Sequence, residues 1–166
     1  MIRVDIETII MAAGPVPSVI VLRERDDDRG PHSPRRALSI QTGSFEAAAV
    51  GRGIEHPESQ RPVTHDLLLD TIERLGGKVK RVEINRVDAP VFFSSMVLDC
   101  SENGEISIDA RPSDALAVAV RSNAPIYVED DVMNRAGKTA PRADVDNEEE
   151  IARFDQFVQT LSPDDF

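Results

Sequence analysis

The stretch "ISIDARPSDALAV", Ile106 to Val118, aligns without a gap to "LSIQTGSFEAAAV", Leu38 to Val50. In both, a short alternating run turns polar and then gives way to an alanine-rich apolar run, the pattern of a strand feeding a helix. The alignment sets Glu46 opposite Asp114 and Ala47 opposite Ala115. Upstream, "RVDI" (Arg3–Ile6) matches "RVEI" (Arg81–Ile84), and after an alanine-and-proline break each leads to a second strand, "SVIVLRER" or "VFFSSMVLDC". The order strand-strand-strand-helix therefore occurs twice, with "THDLLLDTIERLGG" between the copies as a connecting helix. This predicts an α+β fold built from a duplicated β-β-β-α unit, with a mixed or antiparallel sheet in one compact domain.

Details along the chain follow from the same patterns. Ser44 and Thr64 are expected as helix N-caps. Leu68, Ile72 and Leu75 space out as an apolar stripe, with Gly76-Gly77 as the stop. Pro112 suits a first helical position, where a missing N–H costs nothing. The run Ala115 to Val120 is apolar all round, so that helix should be sandwiched between other elements. "SENG" reads as a tight hairpin turn, and "PIYVEDDVMNRAG" as a short strand entering a helical turn. The domain is expected to span 1–136, and 137–166 to be an acidic C-terminal extension, a linker followed by a short amphipathic helix.

Composition narrows the function. With 166 residues and 40% hydrophobic content, one domain with a real core is expected, and no apolar run approaches the ~20 residues of a membrane span. "MIRVDIETII" lacks the form of a secretory leader. Cys100 is the only cysteine, which excludes an internal disulfide and fits a reducing compartment, so a cytoplasmic protein is expected. The net charge of −11 opposes broad adhesion to nucleic acid. That charge is polarised, however. "ADVDNEEE" and "SPDDF" carry much of the acid, whereas the three histidines and Arg29, Arg35, Arg36, Arg52 and Arg61 lie between positions 29 and 65.

Ionisable groups crowd at two helix starts. Asp114, in a first turn, complements the helix dipole. Asp109 and Arg111 at the strand-to-helix junction admit two readings, an ion pair at a turn or side chains converging on a substrate. His65 and Asp66 sit in the first turn after Arg61-Pro62, which echoes Arg111-Pro112. His65 could act as acid or base near neutral pH, or be surface decoration. Adjacent residues do not face one another on a helix, so His65 and Asp66 should not pair. Asp109, Asp114 and Glu46 could form an oxygen-rich cation site only if the two repeats face each other. "RGPHSPRR" is a phosphate-contact candidate or a solvated hairpin extension, and Cys100 is expected to pack in a strand.

The segments "RPVTHDLLLDTIERLGGKVKRVEIN", "VFFSSMVL" and "IDARPSDALAVAVRSNAPIYVEDDVM" closely resemble the bifunctional nuclease domain family. "DARPSDA" followed by the apolar helix and "PIYV" is the most specific part. The resemblance runs to about Ala136, leaving the first hairpin and the tail outside it. It implies a compact mixed α/β domain that dimerises, and cleavage of both RNA and DNA. Because DNA lacks a 2′-OH nucleophile, cleaving both calls for an activated water, and the resemblance then suggests Mg2+ or Mn2+ assistance. On that reading Asp109 and Asp114, with Asp66, hold the metal. His65 relays a proton beside Asp109 and Asp114, and Arg61, Arg111 and Ser113 bind the substrate phosphate. Two rivals stand beside it. One is a non-catalytic dimeric module that binds an anionic ligand or a partner, and the other a scaffold with an Arg–Asp interface network.

Overall fold

A computed structural model describes residues 1–25, 35–57, 61–100 and 104–139. The elements run β1 (Ile2–Ile10), β2 (Ser18–Glu24), β3 (Arg36–Thr42), α1 (Ser44–Glu55), α2 (Thr64–Arg74), β4 (Gly77–Asp88), β5 (Val91–Cys100), β6 (Gly104–Ala110), α3 (Pro112–Ser122), β7 (Ile126–Val128), α4 (Asp130–Ala136) and β8 (Lys138–Thr139). One eight-stranded mixed sheet has the order β6-β5-β4-β7-β1-β2-β3-β8. Each three-stranded meander, β1-β2-β3 and β4-β5-β6, forms half of it. β7 joins them, pairing antiparallel to β1 and parallel to β4. The expected duplicated α+β architecture is the one observed.

The register determines what each face carries. Ile20 pairs Ile40 and Leu22 pairs Leu38 in one half, while Val82 pairs Met96 and Ile84 pairs Ser94 in the other. These residues turn to a single core face, which the helices cover. α3 lies deepest there. Ala115, Leu116, Ala117, Val118 and Ala119 are all buried, as an all-round apolar run requires. A fully buried Leu116 contributes about 1.5–3 kcal/mol relative to exposure.

Several local expectations shift by a residue. The α1 N-cap is Gly43, with Ser44 already in the first turn, and the α2 N-cap is Val63, with Thr64 likewise inside the helix. A Cβ on Gly43 would run into the Glu46 carboxylate, so a residue without one lets that side chain fold back over the cap. On α2 the inward residues are Ile72 and Leu69, while Leu68 is half-exposed and Leu75 stands in solvent. The buried stripe of this helix is therefore narrower than a 3.6-residue template suggests. Pro112 does occupy the first turn of α3, and Gly76 leaves α2 with a φ of 80°. Cys100 packs partly against the core at the end of β5.

Strand pairing continues past residue 136, because β8 adds to the free edge of β3. The "SENG" turn up to Asn103, the core of "RGPHSPRR" and the extension from Ala140 lie outside the described residues. Among the described residues, no helix is long and apolar enough to cross a membrane.

Candidate functional site

Three helix starts supply an acid at the same place, the third helical residue: Glu46 on α1, Asp66 on α2 and Asp114 on α3. At each the carboxylate meets the positive end of a helix dipole. α1 and α3 pack together, and the α2 start crosses α3, which brings the three first turns within reach of one another.

Arg111, the N-cap of α3, bridges two of them. Its Nε donates to Asp114 Oδ2 at 2.8 Å and its Nη2 to Asp114 Oδ1 at 3.3 Å, while Nη1 donates to Glu46 Oε1 at 3.2 Å. The two repeats therefore do face each other at these positions, and the charge that joins them is a guanidinium. On the other side of Asp114, His65 Nε2 stands 3.1 Å from Oδ1. Burial works to raise the Asp114 carboxyl, but hydrogen bonds from Arg111 and His65 outweigh it and hold the group below its ordinary value. Asp114 is thus an anion that orients both neighbours. The His65 side chain is largely covered, at 16% exposure, whereas Arg111 is open at 65%.

Asp66 points elsewhere, as the helical offset from His65 demands. Arg121 Nε donates to its Oδ1 at 2.6 Å, and the Val63 N–H donates to Oδ2 at 3.2 Å. The Arg121 hydrogen bond is the main cause that depresses the Asp66 carboxyl, with burial opposing it. Arg121 enters the protein at the end of α3 and also donates to the Ala49 and Ala117 carbonyls. Sequence reading gave Arg121 no role. The signal was a lone arginine closing a wholly buried helix, a charge that must find partners.

The remaining expected residues separate from this cluster. Asp109 lies opposite Ser95 in the β5–β6 register, one residue out of phase with the core-facing Ile108–Met96 and Ala110–Ser94 pairs. Its side chain is exposed on the face turned away from α1, α2 and α3, so strand alternation removes it from Asp114 and His65. Ser113 is buried against the core at 7% exposure, so its hydroxyl is withdrawn from a substrate. Arg61 is exposed, two residues ahead of the α2 cap, and so does not repeat the position of Arg111, which is itself a cap. Arg36, from the basic stretch, is committed to Glu24 and Asn134.

The donor set expected for Mg2+ or Mn2+ does not fit a cation. Asp109 is on the other face, Asp66 has both oxygens engaged by Arg121 and Val63, and Asp114 has both engaged by Arg111 and His65. Among the described residues, no three His, Cys, Asp or Glu side chains gather where one ion could be held. What is assembled is an imidazole and a guanidinium held by a shared carboxylate. That group can take a proton and hold an anion.

The model of the bifunctional nuclease domain matches residues 20–141 of this chain. An uncharacterized protein of Mycobacterium tuberculosis is 36% identical over 154 residues, covering 89% of this chain and 87% of that protein. Bifunctional nuclease 1 of Oryza sativa subsp. indica is 33% identical over 93 residues, 55% of this chain and 27% of that one. Bifunctional nuclease 1 of Arabidopsis thaliana is 30% identical over 70 residues, 41% and 22% of the two chains.

Proposed function

This chain belongs to the bifunctional nuclease domain family, and from that premise we propose that it hydrolyses phosphodiester bonds of RNA and DNA with little sequence preference, at the His65–Asp114–Arg111 cluster. The observation that carries the reading is the shared carboxylate: Asp114 touches the one base and the one exposed cation of the site at once. With Nε2–H directed at Asp114, the His65 tautomer leaves Nδ1 as the proton acceptor. Nδ1 takes a proton from a water whose oxygen bonds to phosphorus as the bond to the leaving sugar oxygen breaks. A guanidinium has five N–H donors, and three hydrogen bonds to Asp114 and Glu46 leave two for the phosphate's non-bridging oxygens. There they offset the charge that grows in the transition state.

The test uses purified protein on defined RNA and DNA oligonucleotides. His65→Ala is expected to lower kcat by about 10²- to 10⁴-fold, the range of a lost general base. Asp114→Asn should lower it as well, because the tautomer and the Arg111 position both go. Turnover by the parent with His65→Ala unaffected overturns the assignment. Cleavage is expected to persist in excess chelator, since the carboxylates are committed to arginines and a backbone N–H. Loss of cleavage under chelator, restored by Mg2+ or Mn2+, would overturn that part. We take the active form to be a homodimer, a reading supported by the solvent-exposed Phe45, Met11 and Ile54. Light scattering on the purified chain checks it.

Binding without turnover is the second reading. It is favoured by the same network, in which Arg111 already has two carboxylate partners. A parent that binds an oligonucleotide and never cleaves it would establish that reading in place of the first.

A further inference from the structure

Behind the α2 start lies a cleft of about 250 Å3 lined by Arg52, Gly53, His56, Val63, Asp66 and Arg121 among others. That is below the roughly 300–1,000 Å3 of pockets that engulf a whole small ligand, and of a size for a single phosphate group with part of its sugar. Its walls are cationic in a chain of net charge −11. Arg52 is exposed and has no ion pair among the described residues. His56 is exposed at the α1 C-cap, held at a φ of 45° by its N–H bond to the Arg52 carbonyl. A non-glycine residue in the left-handed region is uncommon, and histidine is among the types that accept it.

Arg121, its side chain 6% exposed, uses three of its five donors on Asp66, Ala49 and Ala117, which leaves the two on Nη2 without a partner among the described residues. Among the described residues that line the cleft the one acid is Asp66, and it is neutralised by that bond and by Val63 N–H. The start of α2 and the end of α1 bring opposite dipole ends to the two walls, so the side chains decide the sign, and they are positive.

We propose that this cleft is a second phosphate subsite, which takes a backbone phosphate of the same nucleic-acid strand that the His65–Asp114–Arg111 cluster acts on. The inference rests on the nuclease reading and adds a substrate length to it. Asp114 and Arg121 lie seven residues apart on α3, and so roughly 10 Å along its axis. A separation of that length puts a different phosphate of the strand in the cleft, about one to two nucleotides from the scissile one. A dinucleotide cannot fill both places.

Two measurements test this. In kinetics, Arg52→Ala should raise KM for a hexanucleotide about tenfold, the change carried by one charge-assisted hydrogen bond. It should leave kcat for the hexanucleotide, and both parameters for a dinucleotide, where they are. In binding, inorganic phosphate titrated into the labelled full chain should shift the His56 ring resonances saturably, and Arg52→Ala should abolish that response. An Arg52→Ala variant equal to the parent on the hexanucleotide overturns the subsite, as does a His56 ring that ignores phosphate. A parent that shows the His56 response but cleaves no oligonucleotide overturns the hydrolytic reading and leaves the anion site standing.

Discussion

Asp114 and Asp66 occupy equivalent helical positions and differ in what holds them. Asp114 is shared between an exposed guanidinium and a covered imidazole, whereas Asp66 is locked by a buried guanidinium and a backbone N–H. The Asp66 carboxyl titrates below its ordinary value because the folded state favours the anion. Its stabilising contribution is therefore complete above the unfolded value of about 3.9 and is lost as pH falls through the lower folded value. Asp66→Asn should reduce the melting temperature at pH 7 and flatten its decline on acidification, as read by thermal melts from about pH 5 to about pH 2. An unchanged acid limb would show that Arg121 does not depend on this anion. These residues were legible as a crowd of charges at helix starts. Which of them met was not legible, because partner choice depends on where long arginine side chains run between elements, and on strand phase in the case of Asp109.

At the scale of elements, α3 determines both the core and the site. Leu116→Ala should cost about 2–5 kcal/mol in denaturant unfolding, since the helix is covered on every side and cannot collapse onto the void. Gly53 is a second pressure point. A Cβ there would run into Val120 and the Arg121 guanidinium where α1 crosses α3. Gly53→Ala is expected to destabilise by about 1–3 kcal/mol and to release Arg121 from Asp66, visible as loss of the acid-limb behaviour described above. The helices and the duplication were readable because alanine-rich apolar runs after alternating strands recur at matched positions. The α2 stripe and the caps at Gly43 and Val63 were misplaced by a residue. A helix lying partly off the core buries a narrow line, and the Asp66 carboxylate caps from the third helical residue, where the cap side chain itself does nothing.

For the whole molecule, the cations that the candidate site and the cleft offer are few: Arg111 and Arg52 are exposed, and Arg121 is almost wholly covered. Nucleic-acid binding through about two phosphate contacts should show a shallow salt dependence. The expected slope of log affinity against log salt is about −1.4 for a single strand, by the −0.7 per contact of counterion release. A slope several times steeper would indicate a far wider basic footprint. The two rims of the sheet differ in kind. β3 is capped by β8, whereas β6 has β5 as its only neighbour among the described residues, and it leaves Ile106 and Ile108 about 40% exposed on one side. Glu105 and Asp109 alternate with those isoleucines along the same strand, Glu105 tied to Lys80 and Arg81, Asp109 exposed and without an ion-pair partner among the described residues. Asp109 thereby acquires an account that owes nothing to chemistry on a substrate: a charge on an open ladder discourages a foreign strand from zipping on. Replacing it with valine should leave hydrolysis intact and turn a well-behaved solution into one that thickens into fibrils on standing.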